Sequence, residues 1–187
     1  MEPIRKDNRY TVRDYLSWDD GERWELIDGV PYAMSPAPRV VHQAIVTELS
    51  RLLGNFFHDK PCRVLVAPVD VYFHESEDDE TVVQPDLLVV CDKGKIHDRG
   101  IIGAPDFIVE VISPTSAGRD FTNKAALYER EGVFEYWIVS PGEKAFFKNT
   151  LADGKYVTEN VTGGLLTSSK FSDFSLNADE FFASMDE

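Results

Sequence analysis

Residues 106–112, with the sequence DFIVEVI, have the composition of a buried β-strand interrupted by one charged residue, Glu110. The stretch QPDLLVV at residues 84–90 repeats this pattern, with Asp86 near its beginning. Burying a carboxylate is costly unless it is paired with a cation or binds a metal ion. Two such interruptions in the most apolar part of the chain, with Lys124 shortly after them, therefore indicate a functional site.

The segments around these strands predict the order of the core. Apolar residues recur at helical spacing from Val40 to Phe57 and predict a long helix. Strands are expected at residues 63–73, 82–90 and 106–112, then a helix at 119–131 and a strand at 134–139. The order α-β-β-β-α-β favours an α/β fold in which a mixed sheet is flanked by helices.

Turn signals predict additions at both ends of this core. Asp28-Gly29 lies between two apolar runs and predicts an N-terminal hairpin, preceded by a short helix that Thr11 caps. Asp153-Gly154 predicts a C-terminal β extension, and Asn177 is suited to cap a final helix. The sequence has no internal repeat and no low-complexity linker, so we expect residues 1–187 to form a single domain.

Composition limits the possible partners and the environment. The net charge is −14, whereas proteins that grip nucleic acid usually present a basic face, so a nucleic-acid substrate needs a local basic cleft, a dimer or a helper protein. No apolar run approaches the length of a membrane helix, and we expect no membrane partner. Cys62 and Cys91 lie in or beside strands, which favours a reduced, cytoplasmic protein.

The alternation of side chains along a strand suggests how the charges meet. Glu110 shares a face with Ile108, and Asp86 shares a face with Leu88. Two ionised carboxylates on adjoining apolar faces would repel each other, and Mg²⁺ or Mn²⁺ between them removes that repulsion. Lys124, on the following helix, could orient an attacking water molecule and stabilise developing charge. Each residue taken alone could instead be a turn residue or an ordinary ion pair.

Several blocks of sequence carry a resemblance to a known family. They are WELIDG at 24–29, Met34-Ser35-Pro36 followed by His42, QPD at 84–86, VEVISP at 109–114, the segment 120–124 and EYW at 135–137. This ordered set resembles the bacterial Uma-type family of restriction-endonuclease-like proteins, a domain of unknown function within the PD-(D/E)XK nuclease superfamily. The resemblance implies a restriction-endonuclease-like fold.

The resemblance also implies roles for individual residues. Asp86 and Glu110 would bind Mg²⁺ or Mn²⁺ together with the main-chain carbonyl of Val111, and all three of Asp86, Glu110 and Lys124 would be catalytic. The superfamily pattern has a lysine two residues after the glutamate, where this chain has Ile112. The implied partner is nucleic acid, with DNA expected before RNA. A homodimer is also expected, because nucleases that act on duplexes often match their two-fold symmetry.

Two further residues are secondary candidates. Asp70 could be another metal ligand or a hydrogen-bond anchor, and His42 could approach a metal or a phosphate or be structural. Glu25 is most simply a hairpin residue, and Tyr128 a core residue with a bonded hydroxyl. Three functions stay open: a metal-dependent endonuclease, a catalytically weak or inactive nuclease-fold module for binding or assembly, and a hydrolase of smaller phosphoesters.

Overall fold

The structure is a computed structural model that describes residues 4, 7–34, 38–112, 118 and 120–185. Its helices are α1 (Val12–Leu16), α2 (Val40–Phe57), α3 (Ala125–Arg130) and α4 (Ala178–Ala183). A π-helical turn at Asp120–Lys124 leads directly into α3, and a 3₁₀ turn covers Lys93–Lys95. Residues 35–36 and 113–114 of the resemblance blocks, and residue 119 at the start of the predicted helix, lie outside the described residues.

The described strands form two sheets of six strands and one small hairpin. The first seven are β1 (Trp24–Ile27), β2 (Val30–Ala33), β3 (Arg63–Val66), β4 (Val71–Tyr72), β5 (Val82–Val83), β6 (Leu87–Val90) and β7 (Ile96–His97). The others are β8 (Gly100–Ile102), β9 (Phe107–Val111), β10 (Glu135–Ser140), β11 (Ala145–Ala152), β12 (Lys155–Val161), β13 (Leu165–Thr167) and β14 (Ser175–Asn177).

We call the sheet of strand order β12-β11-β10-β9-β6-β3 the core sheet. Its β9 and β10 are parallel, whereas its other pairs are antiparallel, so the sheet is mixed. Along the chain its central elements run α2, β3, β6, β9, α3 and β10. The predicted α-β-β-β-α-β order in an α/β fold is therefore confirmed, as are the N-terminal hairpin and the C-terminal β extension.

Two predicted strands are wrong in their extent. The predicted strand at 63–73 splits into β3 and β4, and the predicted strand at 82–90 splits into β5 and β6. In each case one half belongs to the core sheet and the other to a second sheet, the hairpin sheet, of order β2-β1-β5-β4-β8-β7. Pro68 and Pro85 lie in the two breaks. Proline has no backbone N–H to donate, so it interrupts the hydrogen bonding of a β-ladder.

The two faces of the core sheet are covered differently. Helix α2 packs on one face through a stripe at helical spacing, formed by Ile45, Leu49, Leu53 and Phe57. The opposite face is covered by α3 and by the hairpin sheet, which contribute Leu127, Tyr128, Val71 and Val83. Glu110 and Asp86 follow the alternation of this second face, so they lie where the two sheets meet.

The expectation of reduced cysteines is also wrong. The structure joins Cys62 to Cys91 by a disulfide bond. The physical reason is the register of β3 and β6: Arg63 lies opposite Val90, so the next pair outward is Cys62 with Cys91. No helix among the described residues is long and apolar enough to cross a membrane.

Candidate active site

Asp86 lies immediately before β6, at the point where the chain leaves the hairpin sheet and enters the core sheet. Its Oδ2 accepts a hydrogen bond from the backbone N–H of Val111 at 2.8 Å. Leu87 pairs with Val109, so the same register continued by one residue sets Asp86 opposite Glu110. The sequence-predicted pair of acidic residues therefore occupies facing positions on neighbouring strands.

His42, in the first turn of α2, contacts the same oxygen of Asp86. Its Nε2 lies 3.1 Å from Asp86 Oδ2, and the two side chains are 17% and 19% exposed. Among the described residues, Asp86 Oδ1 has no hydrogen-bond partner, and neither has the buried Nδ1 of His42. Solvent therefore reaches the site on the Asp86 and His42 side.

Glu110 is buried in β9 and binds the charged end of Lys124. The Nζ atom of Lys124 donates to Glu110 Oε1 at 2.6 Å, and the two side chains are only 2% and 6% exposed. The hydroxyl of Tyr128 donates to the same oxygen at 3.0 Å. Lys124 ends the π-helical turn and Tyr128 lies four residues later, so both side chains project from one stripe towards the sheet.

Glu25, from β1 of the N-terminal hairpin, completes this cluster. It is fully buried, and its Oε1 lies 2.6 Å from Lys124 Nζ. The same oxygen accepts the backbone N–H of Gln84 at 2.9 Å. Lys124 is therefore shared between two carboxylates that belong to different sheets.

A polar network continues from Gln84 to Asp70. The side-chain amide of Gln84 donates to Asp70 Oδ1 at 2.8 Å, and its carbonyl oxygen accepts from Arg23 Nη2 at 2.6 Å. Tyr15 and Tyr72 also donate their hydroxyls to Asp70, at 3.0 and 2.8 Å. Of the two alternatives for Asp70, its contacts are those of a hydrogen-bond anchor that holds the segment before Asp86.

Burial keeps the tyrosines of this region protonated. Burial, followed by the charge of Glu110, raises the pKa of Tyr128 well above its usual value. Burial and the neighbouring charge of Asp70 likewise raise the pKa of Tyr15 and of Tyr72. Tyr128 therefore acts as a hydrogen-bond donor towards Glu110, and not as a base.

The residues that the sequence predicts for the site differ in how directly they contact one another. Glu110 and Lys124 are in direct contact, and Asp86 joins the group through the backbone of Val111 and through His42. Within the described part of the chain, no three His, Cys, Asp or Glu side chains are grouped to hold a metal ion. The catalytic and metal-binding roles of these residues, including that of the Val111 carbonyl, stay predictions.

Sequence reasoning missed the part that Glu25 plays. The signal was present, because Glu25 interrupts the apolar run Trp24–Ile27 in the same way that Glu110 interrupts its own strand. The adjacent Asp28-Gly29 turn explained the segment as a hairpin and hid that signal. Nothing in the sequence shows that this hairpin lies against Lys124.

Comparison with known proteins places the chain in a family. A family model described as "Putative restriction endonuclease", named Uma2, matches residues 12–179. The uncharacterised protein slr1290 of Synechocystis sp. (strain ATCC 27184 / PCC 6803 / Kazusa) is 28% identical over 135 residues, covering 71% of this chain and 69% of that protein. The uncharacterised protein sll1609 of the same organism is 29% identical over 124 residues, covering 63% of this chain and 67% of that protein.

A solved structure shares the fold. It is that of a protein from Anabaena variabilis ATCC 29413, described as a "putative nuclease belonging to DUF820". It superposes with a TM-score of 0.76 at 20% sequence identity, covering 94% of this chain and 98% of that one. Because the family model spans nearly the whole described core, this chain belongs to the Uma2 family of restriction-endonuclease-like proteins.

Proposed function

We propose that the protein is a metal-dependent endonuclease that hydrolyses phosphodiester bonds of nucleic acid, with DNA as the first substrate to test. One observation carries the proposal: Asp86 and Glu110 face each other across β6 and β9, and the ammonium group of Lys124 lies 2.6 Å from Glu110. Paired carboxylates can hold a divalent cation for phosphodiester hydrolysis, and an adjacent lysine can stabilise the negative charge that develops. Membership of the Uma2 family supports the same reaction class.

The donor set fits a hard divalent cation. Asp86 Oδ1 has no hydrogen-bond partner among the described residues and lies on the side of the site that solvent reaches. Mg²⁺ commonly uses only one or two protein carboxylates and fills its remaining positions with water and substrate oxygens. Asp86, Glu110 and the carbonyl of Val111 would hold Mg²⁺ or Mn²⁺, which would polarise a phosphoryl oxygen and acidify a bound water.

The protein's own groups perform the remaining tasks. Lys124 carries its positive charge in a nearly dry environment, where it stabilises negative charge more strongly than it would in water. Tyr128 and the backbone of Val111 fix the two carboxylates through hydrogen bonds at 3.0 and 2.8 Å. His42 lies at the exposed side of Asp86, where an incoming phosphate would pass.

The acidic surface limits how the substrate is gripped. With a net charge of −14, the molecule repels long polyanions overall, so binding depends on local contacts and on added cations. A homodimer would match the two-fold symmetry of duplex DNA and bring two sites to one substrate. Analytical ultracentrifugation of the purified protein should therefore give the mass of two chains, and the mass of one chain would remove the dimer from the proposal.

The nuclease proposal is tested with the wild-type protein and Asp86→Ala on supercoiled plasmid and on single-stranded DNA. Cleavage should require Mg²⁺ or Mn²⁺, should stop with EDTA, and should fall at least about 100-fold in Asp86→Ala, since even outer-shell changes at metal sites cost 10- to 100-fold. A Glu135→Gln variant, altered on the opposite face of the sheet, should cleave as the wild type does. Equal cleavage by wild type and Asp86→Ala would identify a contaminant and contradict the proposal.

A second function is favoured by one specific observation. Lys124 is almost completely buried between Glu25 and Glu110, which is also the arrangement of a purely structural ion cluster. A nuclease-fold module that binds or assembles without hydrolysis would have this arrangement. Isothermal titration with Mg²⁺ and Mn²⁺ separates the two functions. A wild-type protein that binds the ion and cleaves, and an Asp86→Ala variant that does neither, support the nuclease. Ion binding without cleavage of DNA, RNA or a small phosphodiester supports the module.

A further inference from the structure

The backbone pairing of the N-terminal hairpin does not require a charged side chain at Glu25. In the ladder of β1 and β2 this residue pairs with Tyr32 through the backbone, which any residue could do. Yet its side chain is fully buried, and burying a carboxylate is costly without compensation. The compensation comes from the candidate site: Lys124 Nζ lies 2.6 Å from Glu25 Oε1, and the backbone N–H of Gln84 donates to the same atom at 2.9 Å.

The two carboxylates that share Lys124 are not equivalent. Glu110 lies opposite Asp86, and its oxygens are the ones that a divalent cation would engage. A cation there competes with the ammonium group of Lys124 for the same oxygens, because like charges repel. Glu25 approaches Lys124 from the other sheet and keeps an anionic partner for the ammonium group while Glu110 is engaged.

We propose that Glu25 is a positioning residue that holds Lys124 in its working place, an inference that rests on the proposed nuclease function. Glu25 is 0% exposed, so it does not touch the substrate, and its charge acts on the site through Lys124. Its bond to the N–H of Gln84 also ties it to the segment two residues before Asp86. Glu25 thereby sets the spacing between the lysine and the first acidic residue of the site.

The variants can separate charge from shape. Glu25→Gln keeps nearly the same volume and an oxygen that can accept the Gln84 N–H, but it removes the negative charge that faces Lys124. Glu25→Asp keeps the charge on a shorter side chain. Glu135→Gln is the matched control, because Glu135 is equally buried in a strand but is bonded to Trp137, Ser168 and Lys170 away from Lys124.

Two measurements are made on each variant. The first is the side-chain ammonium signal of Lys124 in ¹⁵N NMR, assigned by its loss in Lys124→Met. It should shift or vanish by exchange broadening in Glu25→Gln and stay unchanged in Glu135→Gln. The second is steady-state cleavage, in which Glu25→Gln should lower kcat roughly 10- to 100-fold with KM unchanged, as expected for a group that orients a catalytic residue. Glu25→Asp should recover part of that loss.

A double variant tests the route of the effect. In a Lys124→Met background, Glu25→Gln should lower kcat no further, because residues that act through one another are not additive. Multiplicative losses, or an unchanged Lys124 signal in Glu25→Gln, would overturn the positioning role. If the wild type cleaves nothing, the nuclease proposal fails by itself, and the NMR signal still decides whether Glu25 holds Lys124.

Discussion

Glu110 and Glu135 stand on adjacent strands of the core sheet, are 5% and 0% exposed, and face opposite sides of it. The described partners of Glu135 are neutral donors: Trp137 Nε1 at 2.6 Å, the backbone N–H of Lys170 at 2.7 Å and Ser168 Oγ at 2.8 Å. Glu110 instead binds the ammonium group of Lys124, which it shares with Glu25.

The difference separates two uses of a buried carboxylate. Around Glu135, fixed dipoles satisfy the charge and fasten the C-terminal extension to β10, so nothing is left for a ligand to replace. Around Glu110, the ammonium group of Lys124 compensates for two carboxylates at once, and under the proposed function a divalent cation would compete for the same oxygens. The interaction partners, and not burial, therefore distinguish the candidate site from the structural anchor.

The largest effect should follow from removing the shared cation. Lys124→Ala leaves Glu25 and Glu110 buried without their common partner, and the free energy of unfolding should fall by about 3–5 kcal/mol. Lys155→Ala is the control in the C-terminal extension: the Lys155 side chain is 81% exposed in its ion pair with Glu129, and the loss of that pair should cost less than about 1 kcal/mol. Urea unfolding at neutral pH measures both, and equal losses would remove the contrast between the two regions.

Next in size is the effect of neutralising each glutamate on activity. Glu110→Gln should reduce DNA cleavage by roughly 100-fold or more, since it removes a proposed metal ligand, and the reduction corresponds to about 2.7 kcal/mol. Glu135→Gln should leave kcat unchanged at temperatures well below its unfolding transition. A comparable loss of cleavage in both variants would mean that the opposite faces of the sheet do not differ in function.

A smaller effect is expected at the structural anchor. Ser168→Ala removes one donor to Glu135 and the acceptor for the backbone N–H of Phe171. The free energy of unfolding should fall by about 1.5–3 kcal/mol, the usual contribution of a hydrogen bond to a charged group. Thermal unfolding and cleavage assays should show lower stability with full activity, whereas a loss of activity would couple the anchor to the site.

The smallest effect concerns alkaline pH, where the two regions should behave alike. Burial, aided by Asp70 for Tyr15 and by Glu129 of α3 for Tyr156, raises the pKa of both tyrosines above the usual value near 10. Above pH 10 the unfolded chain loses these protons while the folded chain keeps them, so the free energy of unfolding falls as the pH rises. Below pH 10 neither tyrosine contributes to the pH dependence.

Each of these tyrosines steepens that fall by up to about 1.4 kcal/mol per pH unit. Tyr15→Phe and Tyr156→Phe should each remove one proton from the slope, measured by urea unfolding between pH 9 and 11. Ultraviolet difference spectra should show fewer ionised tyrosines in the folded wild type than in the unfolded chain. A slope that is unchanged in both variants would contradict the raised pKa values.

Local patterns were sufficient to predict much of the fold. The apolar stripe of α2 and the Asp28-Gly29 turn each fixed an element, because helical spacing and turn chemistry act over a few residues. The division of the chain between two sheets was not predictable in the same way. It depends on which strand pairs with which, and the apolar runs at 63–73 and 82–90 look continuous whichever sheet receives them.

Local patterns likewise identified some residues of the candidate site but not the contacts between them. A charge within an apolar strand singled out Glu110, and the helix predicted after that strand carries Lys124, which the structure places against Glu110. The same rule applies equally to Glu25 and Glu135, and only the tertiary structure shows that one reaches Lys124 while the other binds Trp137 and Ser168. Long-range pairing, which the sequence does not encode locally, separates the two glutamates.

The position of Asp86 at the passage between the two sheets has a consequence for recombination among related proteins. Its chain segment, its neighbour Glu110 and the carboxylate of Glu25 come from separate stretches that meet only after folding. A chimaera that exchanged only the N-terminal hairpin would replace Glu25, one of the two carboxylate partners of Lys124. A chimaera should therefore stay active only when the donated hairpin carries an acidic residue at position 25. The hairpin and the core sheet would have to be exchanged together otherwise.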